Sequence, residues 1–183
     1  MDRTWTGEGT EGVEATFCRL FESHQGEIAA YLARLVGDPA LAEDLSQDTF
    51  EKALRALGRL PAEANVRAWL YRIATNTALD CLRRRKLITW LPLLDRDKDP
   101  TARSSFAEAS LESVAVRRAL DRMPPRYRVP LVLYACQGLS TREIALVLRL
   151  SPSGVKTRLY RAREKFRQNY APEEGEGLSL IPI

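Results

Sequence analysis

The sequence contains few residues able to bind a metal or form a disulfide, with three cysteines and one histidine among 183 residues. Cys18, Cys81 and Cys136 lie far apart, no Cys-x-x-Cys pair is present, and His24 has no second histidine to act with. We therefore expect no zinc site or disulfide framework, and predict no metal and no cofactor. The cysteines are instead expected to be small core residues of a protein located in a reducing cytoplasm.

Long apolar runs and strand-like patterns are also missing. No run reaches the roughly 18 apolar residues that a membrane-spanning helix needs, and the acidic amino terminus is unlike a signal peptide. No segment shows sustained strand alternation, and no internal repeat is present. The sequence therefore predicts an all-α protein without membrane insertion.

The helical patterns form two units. We predict two small helical bundles joined by a flexible linker, with a disordered amino terminus over 1–12, bundles over 13–87 and 113–170, a linker over 88–112 and a tail over 171–183. A coil of about 24 residues spans roughly 25–30 Å, and more if stretched. Such a linker would let the bundles reach DNA sites about two turns apart, although an ordinary interdomain linker has the same composition.

Three helices are predicted in the first bundle, from Val13 to Val36, from Asp38-Pro39 onward and from about Val66 to Lys86. The buried side of the second helix is expected to comprise Leu41, Leu45, Phe50, Ala53, Leu54 and Leu57. The third helix is apolar around most of its circumference, which is typical of the central helix of a bundle.

The second bundle contains the pattern of a helix-turn-helix. Ser140 and Glu143 form a capping box at the start of one short helix, and Ser151-Pro152 is a start signal for the next. Val155 and Leu159 begin the apolar side of that second helix, while most of its cations point elsewhere. This pattern is typical of a recognition helix in a major groove, although a solvated basic helix has similar residues.

The charge is unevenly distributed, although the net charge is only +4. Residues 61–90 carry 6 basic and 2 acidic groups, and residues 114–170 carry 13 basic and 3 acidic groups. Residues 1–60 are acidic, and so is the segment between the basic blocks. Two separated basic blocks indicate two contacts with a polyanion.

The third helix carries a polar stripe formed by Arg72, Asn76, Asp80 and Arg83, and a basic run over 83–86 at its end. Cations beside aromatic residues such as Trp69 suit single-stranded nucleic acid, whose bases can leave the stack. Two simpler interpretations remain: Trp69 packs in the core, and the basic run complements the helix dipole.

Acidic and amide side chains share one face of the second helix, at Asp44, Gln47, Asp48 and Glu51. The face could be simply solvated, could bind a basic protein partner, or could hold a divalent metal for phosphodiester chemistry. The metal interpretation is weakest, because no second helix supplies matching carboxylates.

Four blocks of the chain together resemble the extracytoplasmic-function class of bacterial sigma factors. They are Ala42-Glu-Asp-Leu-Ser-Gln-Asp-Thr-Phe50, the segment from Asn65 through Arg85, Leu120-Asp-Arg-Met-Pro-Pro-Arg-Tyr-Arg128, and the helix-turn-helix. The blocks occur in the family's order and cover about residues 13–87 and 113–170.

The resemblance implies roles for particular residues. Core RNA polymerase, through the clamp helices of its largest subunit, would contact Asp44, Gln47, Asp48 and Phe50. The −10 element and its opened strand would contact Asn65, Arg67, Trp69, Arg72, Asn76, Arg83, Arg84 and Arg85. The −35 element would contact Ser153, Lys156, Thr157, Arg158, Tyr160 and Arg161. The family's recognition helix usually begins Gly-Thr-Val-Lys-Ser, where this chain has Ser153-Gly-Val-Lys-Thr157.

The resemblance thus implies a non-enzymatic sigma factor that directs core RNA polymerase to specific promoters and assists −10 melting. Its implied partners are core RNA polymerase, through the clamp helices and the flap, promoter DNA in duplex and single-stranded form, and a separate anti-sigma regulator. The main alternative is a stand-alone helix-turn-helix transcriptional regulator, which would normally bind palindromic half-sites as a dimer. A nuclease using Asp44, Asp48 and Glu51 with magnesium is a third hypothesis.

Overall fold

The computed structural model describes residues 9–89 and 111–170, and its regular structure in both ranges is helical. The first range contains α1 (Gly9–Val36), α2 (Pro39–Leu57) and α3 (Val66–Thr89), and the second contains α4 (Leu111–Asp121), α5 (Pro125–Ala135), α6 (Thr141–Leu148) and α7 (Pro152–Tyr170). The prediction of an all-α fold with two helical domains is confirmed. Residues 1–8, most of the predicted linker and the whole tail lie outside the described residues, whereas residues 9–12 of the segment predicted to be disordered belong to α1.

Local signals explain where the first two helices meet. Gly37 ends α1 with a φ of +74°, a conformation that favours glycine because it has no Cβ. The Asp38 carboxylate then accepts a 3.1 Å hydrogen bond from the Leu41 backbone N–H, and Pro39 occupies the first turn of α2. These features match the helix start predicted at Asp38-Pro39.

The first domain is a three-helix bundle in which α2 packs against both α1 and α3. The buried residues of α2 include Leu45, Phe50, Ala53 and Leu57, as the spacing predicts. Leu54 is an exception: it is 42% exposed, so its predicted burial is wrong.

Helix α3 is buried on more than one side. Ala68, Trp69, Leu70 and Tyr71 are consecutive and all buried, and four consecutive helical residues cover the whole circumference. Helices α1 and α2 cover one side of α3, and α6 of the second domain covers another. The apolar circumference seen in the sequence therefore reflects contact with both domains, whose buried residues form one continuous hydrophobic cluster.

The cysteines are free thiols, and of the three only Cys81 packs against the hydrophobic core. Cys18 and Cys136 are exposed, so the expectation that they are core residues is wrong, whereas Cys81 is half-buried. Within residues 9–89 and 111–170, no three His, Cys, Asp or Glu side chains are grouped so that they could hold a metal ion. None of the helices described in those ranges has the length and apolarity needed to cross a membrane.

Candidate nucleic-acid interface

The helix-turn-helix forms with the capping that its sequence predicts. The Ser140 hydroxyl accepts a 3.2 Å bond from the Glu143 backbone N–H, while the Glu143 carboxylate accepts a 2.8 Å bond from the Ser140 backbone N–H. The Ser151 hydroxyl accepts a 3.1 Å bond from the Gly154 N–H at the start of α7. Arg149 adopts the left-handed conformation between the helices, with a φ of 52°, so the tight turn forms without glycine.

Helix α7 divides into a buried side and a solvent side. Val155, Leu159 and Ala162 are buried against the other helices of the second domain. The candidate −35 residues Ser153, Lys156, Thr157, Tyr160 and Arg161 are exposed, and Arg158 is half-buried. Tyr160 is 67% exposed, which is unusual for a large aromatic side chain without a binding role. The solvent side therefore presents cations, hydroxyls and one aromatic ring together.

The first turn of α7 carries an internal hydroxyl network. The Thr157 hydroxyl donates a 3.1 Å bond to the Ser153 carbonyl, and the Ser151 and Ser153 hydroxyls lie 3.0 Å apart. A Cβ on Gly154 would lie 3.2 Å from the Ser151 hydroxyl oxygen, so glycine fits closely beside the cap. The exchange of glycine and hydroxyl relative to the family pattern thus leaves the Ser153 hydroxyl oriented toward Ser151.

The polar stripe of α3 is exposed to solvent only in part. Asn76 is exposed, Arg72 is half-buried, and the Arg83 guanidinium donates to the Asp80 carboxylate. Arg85 lies 3.5 Å from the Asp38 carboxylate at the start of α2. The Asn76 amide is therefore accessible within a stripe whose far end is strongly basic.

The loop before α3 ends at Asn65, which caps the helix. The Asn65 side-chain oxygen accepts a 2.8 Å bond from the Ala68 N–H and so caps the helix. Trp69 is 9% exposed and lines a cavity of about 430 Å³ together with Pro61, Arg72 and Leu146. Trp69 is thus largely buried, as expected of a core residue. Its ring also forms part of the wall of an open cavity, as a contact with an unstacked base would require.

The acidic face of α2 is accessible, but Phe50, which the resemblance assigns to the same polymerase contact, is buried. Asp44, Gln47 and Asp48 are exposed on one side of the helix. Phe50 is only 3% exposed because its ring packs at 4.9 Å, edge to face, against that of Phe21. Phe50 therefore packs in the core, whereas the polar side chains predicted to contact polymerase together with it lie on the surface.

Gln137, which the sequence did not single out, joins the two domains at the candidate −10 segment. The Arg67 guanidinium donates a 2.6 Å bond to the Gln137 backbone carbonyl, and the Tyr71 hydroxyl donates a 2.8 Å bond to the Gln137 side-chain oxygen. Burial, reinforced by the negative charge of Glu27, raises the pKa of Tyr71 to about 12, so its hydroxyl keeps the donated proton. No sequence signal marks Gln137, which is 66 residues from its hydroxyl partner.

Comparisons with known proteins match both halves of the chain. Residues 20–88 match the family Sigma-70 region 2, and residues 113–166 match the family Sigma-70, region 4. The chain is 32% identical to the RNA polymerase sigma factor SigZ of Bacillus subtilis over 81% of this chain and 84% of SigZ. It is 36% identical to the ECF RNA polymerase sigma factor SigM of Mycobacterium tuberculosis over 84% of this chain and 76% of SigM.

A solved structure supports the same comparison. CnrH, determined in complex with the cytosolic domain of CnrY, superposes with a TM-score of 0.66 and 30% sequence identity. The superposition covers 88% of this chain and 91% of CnrH. Both helical domains are therefore included in the similarity.

Proposed function

The chain belongs to the extracytoplasmic-function class of bacterial sigma factors, and we propose how its surfaces divide the work of that class. It directs core RNA polymerase to promoters and assists promoter opening during transcription initiation. Matches to both sigma regions identify a polymerase-associated factor rather than a stand-alone helix-turn-helix regulator. The observation that carries the proposal is the separation of an acidic face on α2, an amide-bearing stripe on α3 and a basic solvent side on α7.

We assign polymerase binding to the acidic face of α2. Asp44, Gln47 and Asp48 are exposed together, and carboxylates beside an amide suit a basic protein surface such as the clamp helices. Phe50 supports this surface without being exposed on it, because its contact with Phe21 fixes the position of α2 relative to α1. We also propose that the second domain contacts the flap of core RNA polymerase.

We assign the opened −10 strand to the start and the solvent stripe of α3. The exposed Asn76 amide can both donate and accept hydrogen bonds with an unpaired base edge. The cavity beside Trp69 and Arg72 offers an aromatic wall and a cation to a base that has left the stack. The phosphates of the opened strand would contact the basic end of the helix, at Arg83, Arg84 and Arg85. We also assign Asn65 and Arg67 to the contact with the −10 strand.

We assign the duplex −35 element to the solvent side of α7. Lys156 and Arg161 supply charge for phosphates or base edges, and Tyr160 supplies an exposed ring. Ser153, Thr157 and Arg158 belong to the same surface. Because this side of the helix is free of packing contacts with the domain core, it can enter a major groove without rearrangement of the helix-turn-helix.

Regulation and location complete the proposal. CnrH was solved with the cytosolic domain of CnrY. By analogy, we infer that a separate anti-sigma protein binds this chain and controls its access to polymerase. The chain acts in the cytoplasm, where polymerase and promoters are found, as a specificity subunit without catalytic activity of its own.

A charge reversal on α2 tests the polymerase assignment. Asp48→Arg should weaken the complex with core RNA polymerase measured by size-exclusion chromatography and by competition binding. The matched control is Glu14→Arg, the same charge change at an exposed residue of α1. Equal affinity of core enzyme for Asp48→Arg and Glu14→Arg would remove the acidic face from the polymerase interface.

A further inference from the structure

Arg149, in the turn between α6 and α7, adopts a backbone conformation that an arginine disfavours. Its φ is 52° and its ψ is 49°, and in residues 9–89 and 111–170 every other residue with a positive φ is a glycine. The left-handed conformation brings a Cβ close to a carbonyl oxygen, so it costs free energy for arginine and little for glycine. Turns between the helices of this motif often contain glycine. An arginine here is therefore a choice that the backbone does not explain.

The surrounding structure imposes this conformation without using the arginine side chain. The backbone N–H groups of Arg149 and Leu150 both donate to the Ala145 carbonyl, the second at 3.0 Å. The Leu150 side chain packs against the hydrophobic core, and the Ser151 hydroxyl caps α7. Glycine at position 149 would allow all of these contacts. The contribution of an arginine therefore lies in its guanidinium.

The Arg149 guanidinium has no partner within the part of the chain that the structure describes. It is exposed there and makes no hydrogen bond, ion pair or ring contact. Nearby arginines of α7 differ, since Arg167 pairs with Glu164 at 2.7 Å and Arg163 lies over the Tyr134 ring at 5.3 Å. Strained backbone conformations cluster at functional sites. The strain and the unpaired cation together indicate a ligand outside the chain.

The local charge shows that this ligand is an anion. Residues 138–163 carry 6 basic groups and 1 acidic group. The acidic group, Glu143, accepts hydrogen bonds from the backbone N–H and the hydroxyl of Ser140 at the start of α6. A further cation in so basic a segment is repelled by its neighbours unless an anion binds beside it. Arg149 therefore adds charge where only a bound anion would make it favourable.

The position of the turn selects the kind of anion. In a helix-turn-helix the second helix enters the major groove, while the first helix crosses the DNA backbone. A helix with its side chains is about 10–12 Å wide and the groove is about 12 Å wide, so α7 would fill the groove. The turn that leads into α7 then lies at the edge of the groove, where the phosphates are. Arg149 is thus placed at the backbone rather than at the base edges.

We propose that Arg149 binds a phosphate of the DNA backbone beside the −35 element and so anchors the start of α7 in the major groove. This inference rests on the proposed function of α7. A guanidinium can bind a phosphate through two parallel hydrogen bonds. Such a contact adds affinity and fixes the position of the helix without reading a base. The turn loses folding stability to arginine, and the complex with DNA gains a contact.

A single phosphate contact has a defined dependence on salt. Each neutralised phosphate contributes about −0.9 to the slope of the logarithm of the binding constant against the logarithm of the salt concentration. Loss of the contact should therefore weaken binding about fivefold at 0.15 M salt. The difference from wild type should shrink roughly threefold as the salt concentration rises from 50 to 200 mM.

The experiment measures fluorescence anisotropy of a labelled duplex bound by the full chain assembled with core RNA polymerase. The duplex is one that the wild-type complex selects from a random-sequence library. Arg149→Gly removes the cation and the strain together, so it should bind DNA about fivefold more weakly while the free chain unfolds at a higher urea concentration. Higher stability with lower affinity excludes a folding defect. Lower stability together with lower affinity would contradict the assignment.

Two further variants isolate the role of the charge at this position. Arg149→Lys keeps a cation and should keep the wild-type salt slope. Arg117→Gly makes the same substitution at an exposed residue of α4 and should leave affinity for the duplex and the salt slope unchanged. Equal losses for Arg149→Gly and Arg117→Gly would reduce the effect to net charge and overturn the proposal. A salt slope for Arg149→Lys equal to that of Arg149→Gly would also overturn it.

Replacing each −35 base pair in turn distinguishes a phosphate contact from a base contact. Arg149→Gly should weaken binding to every duplex by the same factor. A changed preference at one base pair would assign Arg149 to a base edge and contradict the proposal. Weaker binding of Arg149→Gly to core RNA polymerase without DNA would assign the side chain to polymerase, which also contradicts it.

Failure of the proposed function would give a different result. If the wild-type complex selects no duplex, the assignment of α7 to the promoter is wrong and the inference about Arg149 is wrong with it. If the wild-type complex selects a duplex that Arg149→Gly binds with wild-type affinity and salt slope, the assignment of α7 stands and only the role of Arg149 is wrong.

Discussion

Ser140 and Glu143 cap α6 by bonding each other reciprocally across three residues. The Glu143 carboxylate accepts from the Ser140 backbone N–H at 2.8 Å, and the Ser140 hydroxyl accepts from the Glu143 backbone N–H at 3.2 Å. Glu143 also lies 3.4 Å from the Asn65 amide nitrogen of the other domain. One carboxylate thus supports the helix-turn-helix and the interdomain contact together.

The first prediction concerns pH. Hydrogen bonds from the Ser140 backbone and hydroxyl lower the pKa of Glu143 below its ordinary value of 4.5. Because the folded-state pKa is depressed, the charged carboxylate contributes stability above pH 4.5 that is lost as the pH falls through the folded-state pKa. Glu143→Gln keeps a capping acceptor without the charge, so it should flatten the pH dependence of urea unfolding in acid. Parallel curves for wild type and Glu143→Gln would contradict this role.

The second prediction concerns the turn of the helix-turn-helix. Arg149 holds a φ of 52° and its side chain is exposed, so glycine there would relieve backbone strain with no loss of packing. Arg149→Gly should raise the free energy of unfolding by about 0.5–1 kcal/mol. Arg117→Gly, inside α4, should lower it by about 1 kcal/mol. Denaturant titration of both variants checks the opposite signs, and the same sign for both would contradict the assignment of strain.

Local signals in the sequence were sufficient for much of the fold. The caps at Asp38, Ser140 and Ser151 are hydrogen bonds between residues three positions apart, so the sequence pattern alone indicates them. The burial of Leu54 was predicted wrongly because periodicity identifies a helix face but not where a neighbouring helix ends. Exposed Cys136 shows a related error, since apolar neighbours along the chain do not ensure burial in space.

The third prediction concerns strand opening. Asn76→Ala should leave binding of duplex −35 DNA unchanged but slow promoter opening, because the exposed amide would no longer bond an unpaired base. Fluorescence of a base analogue placed in the −10 element of a complex with core RNA polymerase measures the opening rate. Equal rates for wild type and Asn76→Ala would exclude the amide from the opened strand.

The fourth prediction concerns duplex recognition by α7. Arg161→Ala should weaken binding by about 1–3 kcal/mol and relax the preference at one base pair, if the exposed guanidinium contacts a base edge. Binding to a panel of −35 sequences at several salt concentrations distinguishes the possibilities. A uniform loss across all sequences, with the salt slope reduced by about one, would assign Arg161 to a phosphate.

Contacts between distant residues were beyond sequence analysis. Gln137 meets Arg67 across 70 residues, and a glutamine in a turn resembles any solvated polar residue. Phe50 illustrates the same limit within one helix, because its ring packs against Phe21 of α1 while Asp48 nearby faces solvent. The sequence therefore indicated which surfaces carry charge and amides, but the pairing of the two domains required the structure.

The most direct test of the central claim is to map transcription start sites on genomic DNA fragments with core RNA polymerase, in the presence and absence of the purified chain. The proposed division of labour predicts new starts at a defined set of sites. Each should lie downstream of two conserved elements spaced about two DNA turns apart. Unchanged starts, together with binding of the chain alone to palindromic DNA as a symmetric dimer, would contradict it.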